Sequence, residues 1–158
     1  EAVIVDTRHN GGGWLHDDLA TLLDGEGYIR FEPRGQYIGT EPYNKWTKPS
    51  CVLIGEDNYS DACGFPYVYK TLGIGKLIGA PVPGTMTAVW WENQIDPSIV
   101  FGIPQVGALG VKEGRYLENM QIEPDILVYN DPASVLRGED RQLEAAVKEM
   151  LKTIDSNK

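Results

Sequence analysis

No apolar run in the chain comes near the roughly 20 residues that a membrane-spanning helix requires, and the 158 residues include only two cysteines, Cys51 and Cys63. The first shortage removes a helical membrane span as the organising element. The second removes a disulfide framework and a cysteine-based zinc site, and it leaves one bridge or two free thiols. Either state fits cytosol or periplasm. Positive charge is also scarce. Against 23 Asp and Glu stand 14 Lys and Arg, a formal net charge of -9, which weighs against nucleic acid and anionic membranes as partners. Histidine occurs twice, as His9 and His16. There is no internal repeat and no low-complexity segment. What remains is ordinary globular composition, 42% apolar and 23% charged, in a length suited to one domain with a real core.

The most informative stretch is 51–79. Cys51-Val-Leu-Ile54 is a short apolar run between Pro49 and Gly55, the pattern of a buried strand. Asp57, Asn58 and Ser60 favour turns and caps. From Asp61 the apolar residues Ala62, Phe65, Val68, Tyr69 and Leu72 follow a helical period, which Gly73 and Gly75 end. The next strand starts at Lys76. Ser60 therefore stands at a strand-to-helix junction, where a hydroxyl is lifted clear of the sheet and the first free helix amides face whatever is bonded to it. Ser60 and the amide of Asp61 could supply a nucleophile and half of an oxyanion hole. Read alone, the stretch fits the commoner alternative better, a helix N-cap at Ser60 or Asp61.

Upstream, the apolar strand 2–5 runs into Asp6-Thr-Arg-His-Asn-Gly-Gly-Gly-Trp14 and then a helix over 15–23, with Leu15, Leu19, Leu22 and Leu23 on one face. Three glycines between strand and helix allow close backbone approach to a ligand. Neither Gly-x-x-x-x-Gly-Lys-[Ser/Thr] nor Gly-x-Gly-x-x-Gly is present in the required place, so a nucleotide cofactor is not expected; the glycines fit better as an amide donor to a carbonyl oxygen. No other cofactor and no metal are expected. The chain opens without Met, directly into a strand, and is expected to be a piece of a longer polypeptide with further segments upstream.

Residues 28–49 read as a loop or short hairpin, whose Tyr37, Tyr43 and Trp46 either line a cleft or, more commonly, pack on the surface. Thr85 to Trp91 reads as a strand, and 99–103 and 105–111 as two more, broken by Gly102, Pro104, Gly107 and Gly110. Asp131-Pro132 opens a helical turn to Arg137. The clearest helix is 140–154, with Leu143, Ala146, Val147, Met150, Leu151 and Ile154 at helical spacing. Short strands alternating with helices, each strand leading into a glycine turn, indicate an α/β domain.

Four stretches, in order, resemble the catalytic domain of the tail-specific (C-terminal-processing) serine peptidases, tricorn branch. They are Val3-Ile-Val-Asp-Thr-Arg-His-Asn-Gly-Gly-Gly13, Asn58-Tyr-Ser-Asp-Ala62, Lys70-Thr-Leu-Gly-Ile-Gly-Lys-Leu-Ile-Gly79 and Leu117-Glu-Asn-Met-Gln-Ile-Glu-Pro-Asp125. The resemblance implies that residues 1–158 form the C-terminal part of such a catalytic domain, in the Clp protease/crotonase-like spiral of β-β-α units, with the N-terminal part of the fold missing. It implies Ser60 as nucleophile, the amides of Gly13 and Asp61 as the oxyanion hole, and Glu118 as the acid that orients the catalytic groups through a hydroxyl relay. The expected activity is endopeptidase cleavage of peptides or unfolded proteins.

In that branch the general base is a histidine N-terminal to the first strand seen here. His9 and His16 match no catalytic position, and His9 is expected to pack beside the glycine loop. Lys70 and Lys76 are placed for the lysine base of other branches, but Lys76 lies in the tricorn-like run, so that chemistry is not adopted. The 158-residue chain by itself is therefore expected to be inactive, with upstream segments of the same polypeptide as partners and association between chains at the cut edge. Two other functions compete. One is a non-catalytic, peptide-binding descendant. The other is a crotonase-type acyl-CoA enzyme, against which the Asn58-Tyr-Ser-Asp turn speaks.

Overall fold

Pro49, Gly55 and Gly75 bound the runs 50–54 and 76–79 and keep those central strands short. The computed structural model describes residues 1–156. In chain order it contains β1 (Val3–Asp6), α1 (His16–Leu23), the hairpin β2 (Ile29–Phe31) and β3 (Gly39–Glu41), β4 (Ser50–Ile54), α2 (Asp61–Leu72) and β5 (Lys76–Gly79). There follow the ribbon β6 (Thr87–Asn93) and β7 (Val100–Gly107), the pair β8 (Leu109–Gly110) and β9 (Arg115–Tyr116), β10 (Ile126–Leu127), α3 (Pro132–Leu136) and α4 (Arg141–Ser156).

β1, β4, β5 and β10 form one sheet in the order β1-β4-β5-β10, and each pairing is parallel. β4 lies inside it and is buried along its whole length. Its alternate residues fill two different cores. Val52 and Ile54 face Leu23, Cys63, Phe65, Tyr69 and Leu77. Cys51 and Leu53 face Ile78, Ala146 and Met150. The sheet is thus covered by α1 and α2 on one side and by α4 on the other, the three-layer arrangement that a parallel sheet needs to bury both faces. Burying each of Leu53, Ile54, Leu77 and Ile78 contributes about 1.5–3 kcal/mol.

The ends of these elements follow local chemistry. Gly73 takes the left-handed conformation (φ 71°) that closes α2, which costs glycine nothing. The Asp131 carboxylate accepts from the Ser134 amide and starts α3. Asp140 accepts from the Leu143 amide (3.0 Å) before α4. It also pairs with Arg8 through two bonds of 2.9 Å, while Arg8 binds Gln142 and Asp6. This network fastens α4 to the end of β1. Cys51 and Cys63 are free and buried.

The structure differs from the sequence reading in three places. β7 is one strand rather than two, since Gly102 and Pro104 are carried inside it; the register against β6 shifts between Ala88 and Val89, opposite Val106 and Pro104. A two-stranded ribbon is all edge, so a proline beside a bulge removes little pairing. On α1 the buried residues are Ala20 and Leu23, while Leu15 and Leu22 are exposed. On α4, Leu143, Val147 and Leu151 stay largely exposed although their spacing is helical, because the sheet is narrower than the apolar stripe.

Candidate active site

The C-terminal ends of β1 and β4 lie side by side, and the two loops that leave them meet. After β4, Asn58 is 1% exposed and fully engaged. Its side-chain amide donates to Thr7 Oγ1 and to the Ala62 carbonyl, both at 2.9 Å, and its oxygen accepts from the Gly55 amide. Thr7 in turn donates to the Leu53 carbonyl at 2.7 Å. A satisfied buried network of this kind fixes one loop geometry. It ties the end of β1, the end of β4 and the first turn of α2 into one unit.

Ser60 stands in the N-cap position of α2 but does not act as a cap. Its backbone is at φ 55°, ψ −122°, and its side chain makes no capping bond. A non-glycine residue in that region costs of order 1–3 kcal/mol and persists only where its surroundings impose it. Here the Tyr59 amide donates to the Asn10 carbonyl (3.1 Å), the Ser60 amide donates to Thr85 Oγ1 (3.2 Å), and Cys63 Sγ stands 3.1 Å from the same hydroxyl. The Ser60 hydroxyl has no hydrogen-bond partner among the described residues.

The glycine loop packs directly on this turn. The Gly12 amide donates to Asn10 Oδ1 at 2.7 Å. Gly12 has φ 105°, and a Cβ placed on it would stand 2.7 Å from Ser60 Cβ, 2.9 Å from the Tyr59 carbonyl oxygen and 3.1 Å from the Asp61 amide nitrogen. Only glycine permits that approach. The next residue, Gly13, sits at φ 151°. The amides of Gly13 and Asp61 have no acceptor among the described residues. The Asp61 carboxylate closes the arrangement from the other side, accepting from the Leu15 amide (2.7 Å) and engaging His16 Nδ1.

Two depressions meet at Gly13 and Ser60. One, of about 170 Å³, is lined by Asp61, His16, Met86, Ala88, Val106 and Ala108. The other, of about 490 Å³, is lined by Tyr59, Thr85, Thr87, Trp91, Pro104 and Glu118. Of the residues singled out from the sequence, Ser60, Gly13 and Asp61 thus share the first depression, and Ser60, Gly13 and Glu118 share the second. Glu118 Oε2 accepts from the amides of Met86 and Thr87 and from Thr87 Oγ1, each at 2.8 Å. Burial works to raise its pKa, but these donors outweigh it and hold the carboxyl below its ordinary range.

Other candidates lie elsewhere. The His9 side chain is 83% exposed and paired with Asp57, so it does not pack beside the loop as expected; its own backbone is left-handed (φ 61°) and turns the ring outward. Lys70 binds the Glu123 carbonyl and Asp125, and Lys76 binds Glu149; neither lines a depression at Ser60. Tyr37 and Tyr43 are exposed, and Trp46 packs beside the core. Besides Tyr59 of the serine turn, the aromatics that line the site are Trp14 and Trp91. They, Thr85 and Thr87 escaped the sequence reading. The ribbon brings in Thr87 and Trp91, and no local pattern marks which ribbon residues face the serine.

Sheet order, glycine loop and serine turn together define an α/β domain with its candidate site at the C-terminal ends of two adjacent parallel strands. The profile of Peptidase family S41 matches residues 1–128, and the chain belongs to that family. It is 25% identical over 154 residues to the tricorn protease of Thermoplasma acidophilum, covering 98% of this chain and 14% of that protein. It is 27% identical over 156 residues to a tricorn protease homolog of Saccharolobus solfataricus, covering 98% and 14% respectively. The crystal structure of the tricorn protease superposes with a TM-score of 0.84 at 26% identity, over 98% of this chain and 15% of that one. The chain therefore spans about one seventh of the length of these relatives. The likeness bears out the α/β fold class and the tricorn-like resemblance.

Proposed function

We propose that this chain carries the nucleophile and oxyanion hole of a serine endopeptidase acting on peptides or unfolded proteins. The observation that supports it most is the state of Ser60. The residue is held in a strained conformation at the start of α2 with its hydroxyl unpartnered among the described residues, and it lines one depression with Gly13 and Asp61, whose amides lack acceptors there. In this reading a base takes the Ser60 proton as Oγ attacks the peptide carbonyl carbon. The developing oxyanion accepts from the amides of Gly13 and Asp61. Such donors are worth about 2.7–4 kcal/mol each when removed singly. The leaving amine collects the proton, and water then hydrolyses the acyl-enzyme by the same path reversed.

The base is assigned to a histidine outside these 158 residues, and the chain to the C-terminal part of the catalytic domain. His16 lines the depression at Ser60 and its Nδ1 engages Asp61, but neither ring nitrogen bonds the Ser60 hydroxyl. Glu118 lines the second depression and orients the incoming base through a hydroxyl. The outer edge of β1, unpaired among the described residues, receives upstream segments of the same polypeptide or a second chain.

A second reading, a peptide-binding descendant without catalysis, is favoured by the same lack of a base beside Ser60. Labelling with a fluorophosphonate decides. The longer polypeptide that contains this chain is expected to label, Ser60→Ala to abolish labelling, and the 158-residue chain to label at least about a hundredfold more slowly, a loss typical for a missing base. Equal labelling of the short chain, lost in His16→Ala, would move the base role to His16. No labelling of either would favour the binding protein.

A further inference from the structure

The smaller depression beside Ser60 carries information about substrate. Gly13 and Asp61, whose amides have no acceptor among the described residues, both line it, so a carbonyl oxygen accepting from those amides would bring the side chain of the residue supplying it to this space. Trp14 and His16 line it on the glycine-loop side of the chain, and Ala88 of β6, Val106 and Gly107 of β7, and Ala108 line it from the ribbon side. Small side chains leave the space open. Its floor is Met86, which packs against the core beneath α2. Gly64 of α2 makes room for that side chain: a Cβ there would stand 3.3 Å from Met86 Cε. The volume, about 170 Å³, is close to the roughly 150 Å³ that accommodates a benzene-sized apolar group.

The charges at its rim are already used. Among the described residues the Asp61 carboxylate is the only acid lining it, and that group accepts from the Leu15 amide through one oxygen and engages His16 through the other. No lysine or arginine among the described residues lines the space. A cationic side chain would find no free carboxylate, and an anionic one would find no unpaired cation; either would be desolvated without compensation.

We infer that this depression is the pocket for the residue N-terminal to the cleaved bond, and that it selects a medium-sized apolar side chain, leucine, methionine or phenylalanine, over charged ones. The inference rests on the nucleophile reading above. Val106 and Met86 act as specificity-determining residues, and neither belongs to the proposed catalytic machinery.

The test uses the longer polypeptide containing this chain, with a peptide series varied only at that position, and a small fluorophosphonate as an independent probe of Ser60. Leucine and methionine substrates should exceed lysine, glutamate and glycine ones in kcat/KM by more than about tenfold, the discrimination that a single pocket methylene can bring. Val106→Asp should lower leucine cleavage by about tenfold or more and raise lysine cleavage, while fluorophosphonate labelling stays within about twofold. Val106 is 64% exposed on the ribbon, so this change leaves the core intact. Val106→Trp, which fills the space, should depress leucine and phenylalanine substrates together and spare glycine. A lysine or glutamate preference in the wild type, or profiles unmoved by both variants, overturns the pocket assignment while labelling persists. Loss of labelling in the wild type overturns the nucleophile reading itself, and the inference with it.

Discussion

Replacing Gly12 by alanine tests the contact on which the proposed oxyanion hole depends. The added Cβ would meet Ser60 Cβ at 2.7 Å, the Tyr59 carbonyl oxygen at 2.9 Å and the Asp61 amide nitrogen at 3.1 Å. Two of these three are backbone atoms, so no rotamer change relieves the clash; the glycine loop must draw back from the turn. The φ of 105° adds a conformational penalty of about 1–3 kcal/mol for a residue with a Cβ. Neither effect reaches the sheet, so the chain should still fold, with a melting temperature lower by several degrees at about 2–4 °C per kcal/mol. If Gly13 is an oxyanion donor, its displacement should slow fluorophosphonate labelling of Ser60 about 100- to 1,000-fold, the loss that follows removal of one such donor. Gly11→Ala is the control. A Cβ at Gly11 meets nothing within 4 Å and its φ is not positive, so labelling and stability should stay near wild type. Wild-type labelling by a folded Gly12→Ala protein, or equal losses in the two variants, would refute the reasoning.

Three further expectations follow from particular contacts. Glu118→Gln keeps an acceptor for the amides of Met86 and Thr87 and for the Thr87 hydroxyl but removes the charge; stability should fall by about 1 kcal/mol, with a larger loss in kcat than in KM, and unchanged kcat would sink the orienting role. Cys51 is buried, its thiol pushed up to about 11 first by burial and then by Glu149; with Cys63 also buried, a thiol reagent at pH 8 should find neither group in the folded chain and both in denaturant. Asp140 is held well below the usual carboxylate range, chiefly by Arg8, with burial opposing. Because the folded value is depressed, its stabilisation is fully present above the unfolded pKa of about 3.9 and is lost as pH falls through the folded one. Asp140→Asn should therefore destabilise by about 1–2 kcal/mol at pH 7, discounted for its partial exposure, and the gap to wild type in denaturant midpoint should narrow progressively as pH falls below about 4; a gap independent of pH would contradict the pairing.

How legible the fold was in the sequence depended on how local each decision is. β4 could be placed from Pro49, four consecutive apolar residues and Gly55, because a strand buried on both faces needs no alternation. α2 could be bounded at Leu72 by Gly73, because the left-handed cap is a property of one residue. β7 could not be read correctly: Gly102 and Pro104 carry the local signs of a break, and only the pairing with β6 makes the strand continuous. The width of the exposed stripe on α4 was equally hidden, since Leu143, Val147 and Leu151 repeat at the same spacing as buried Ala146 and Met150, and only the breadth of the sheet decides which are covered.

The same division runs through the site, and it sets what the ribbon can contribute. Ser60, Asp61 and the glycine loop were legible because the loops that carry them leave adjacent parallel strands, β1 and β4, and adjacent parallel strands bring their C-terminal loops together whatever the rest of the chain does. The strain at Ser60 is therefore carried by the buried, fully hydrogen-bonded Asn58 network beside a fully buried strand. The pocket walls come instead from β6 and β7, which pair only with each other among the described residues and are largely exposed. One anchor joins the two parts. Glu118 holds the start of the ribbon through three bonds, and the Thr85 hydroxyl just ahead of the ribbon accepts the Ser60 amide. Substitutions in the ribbon beyond that anchor can thus reshape the pocket without disturbing the serine, whereas a change at Thr85 acts on both. Thr85→Val should slow labelling of Ser60 as well as cleavage, whereas Val106→Asp should lower leucine cleavage and leave labelling near wild type, and the contrast separates the machinery from the surface that chooses its substrate.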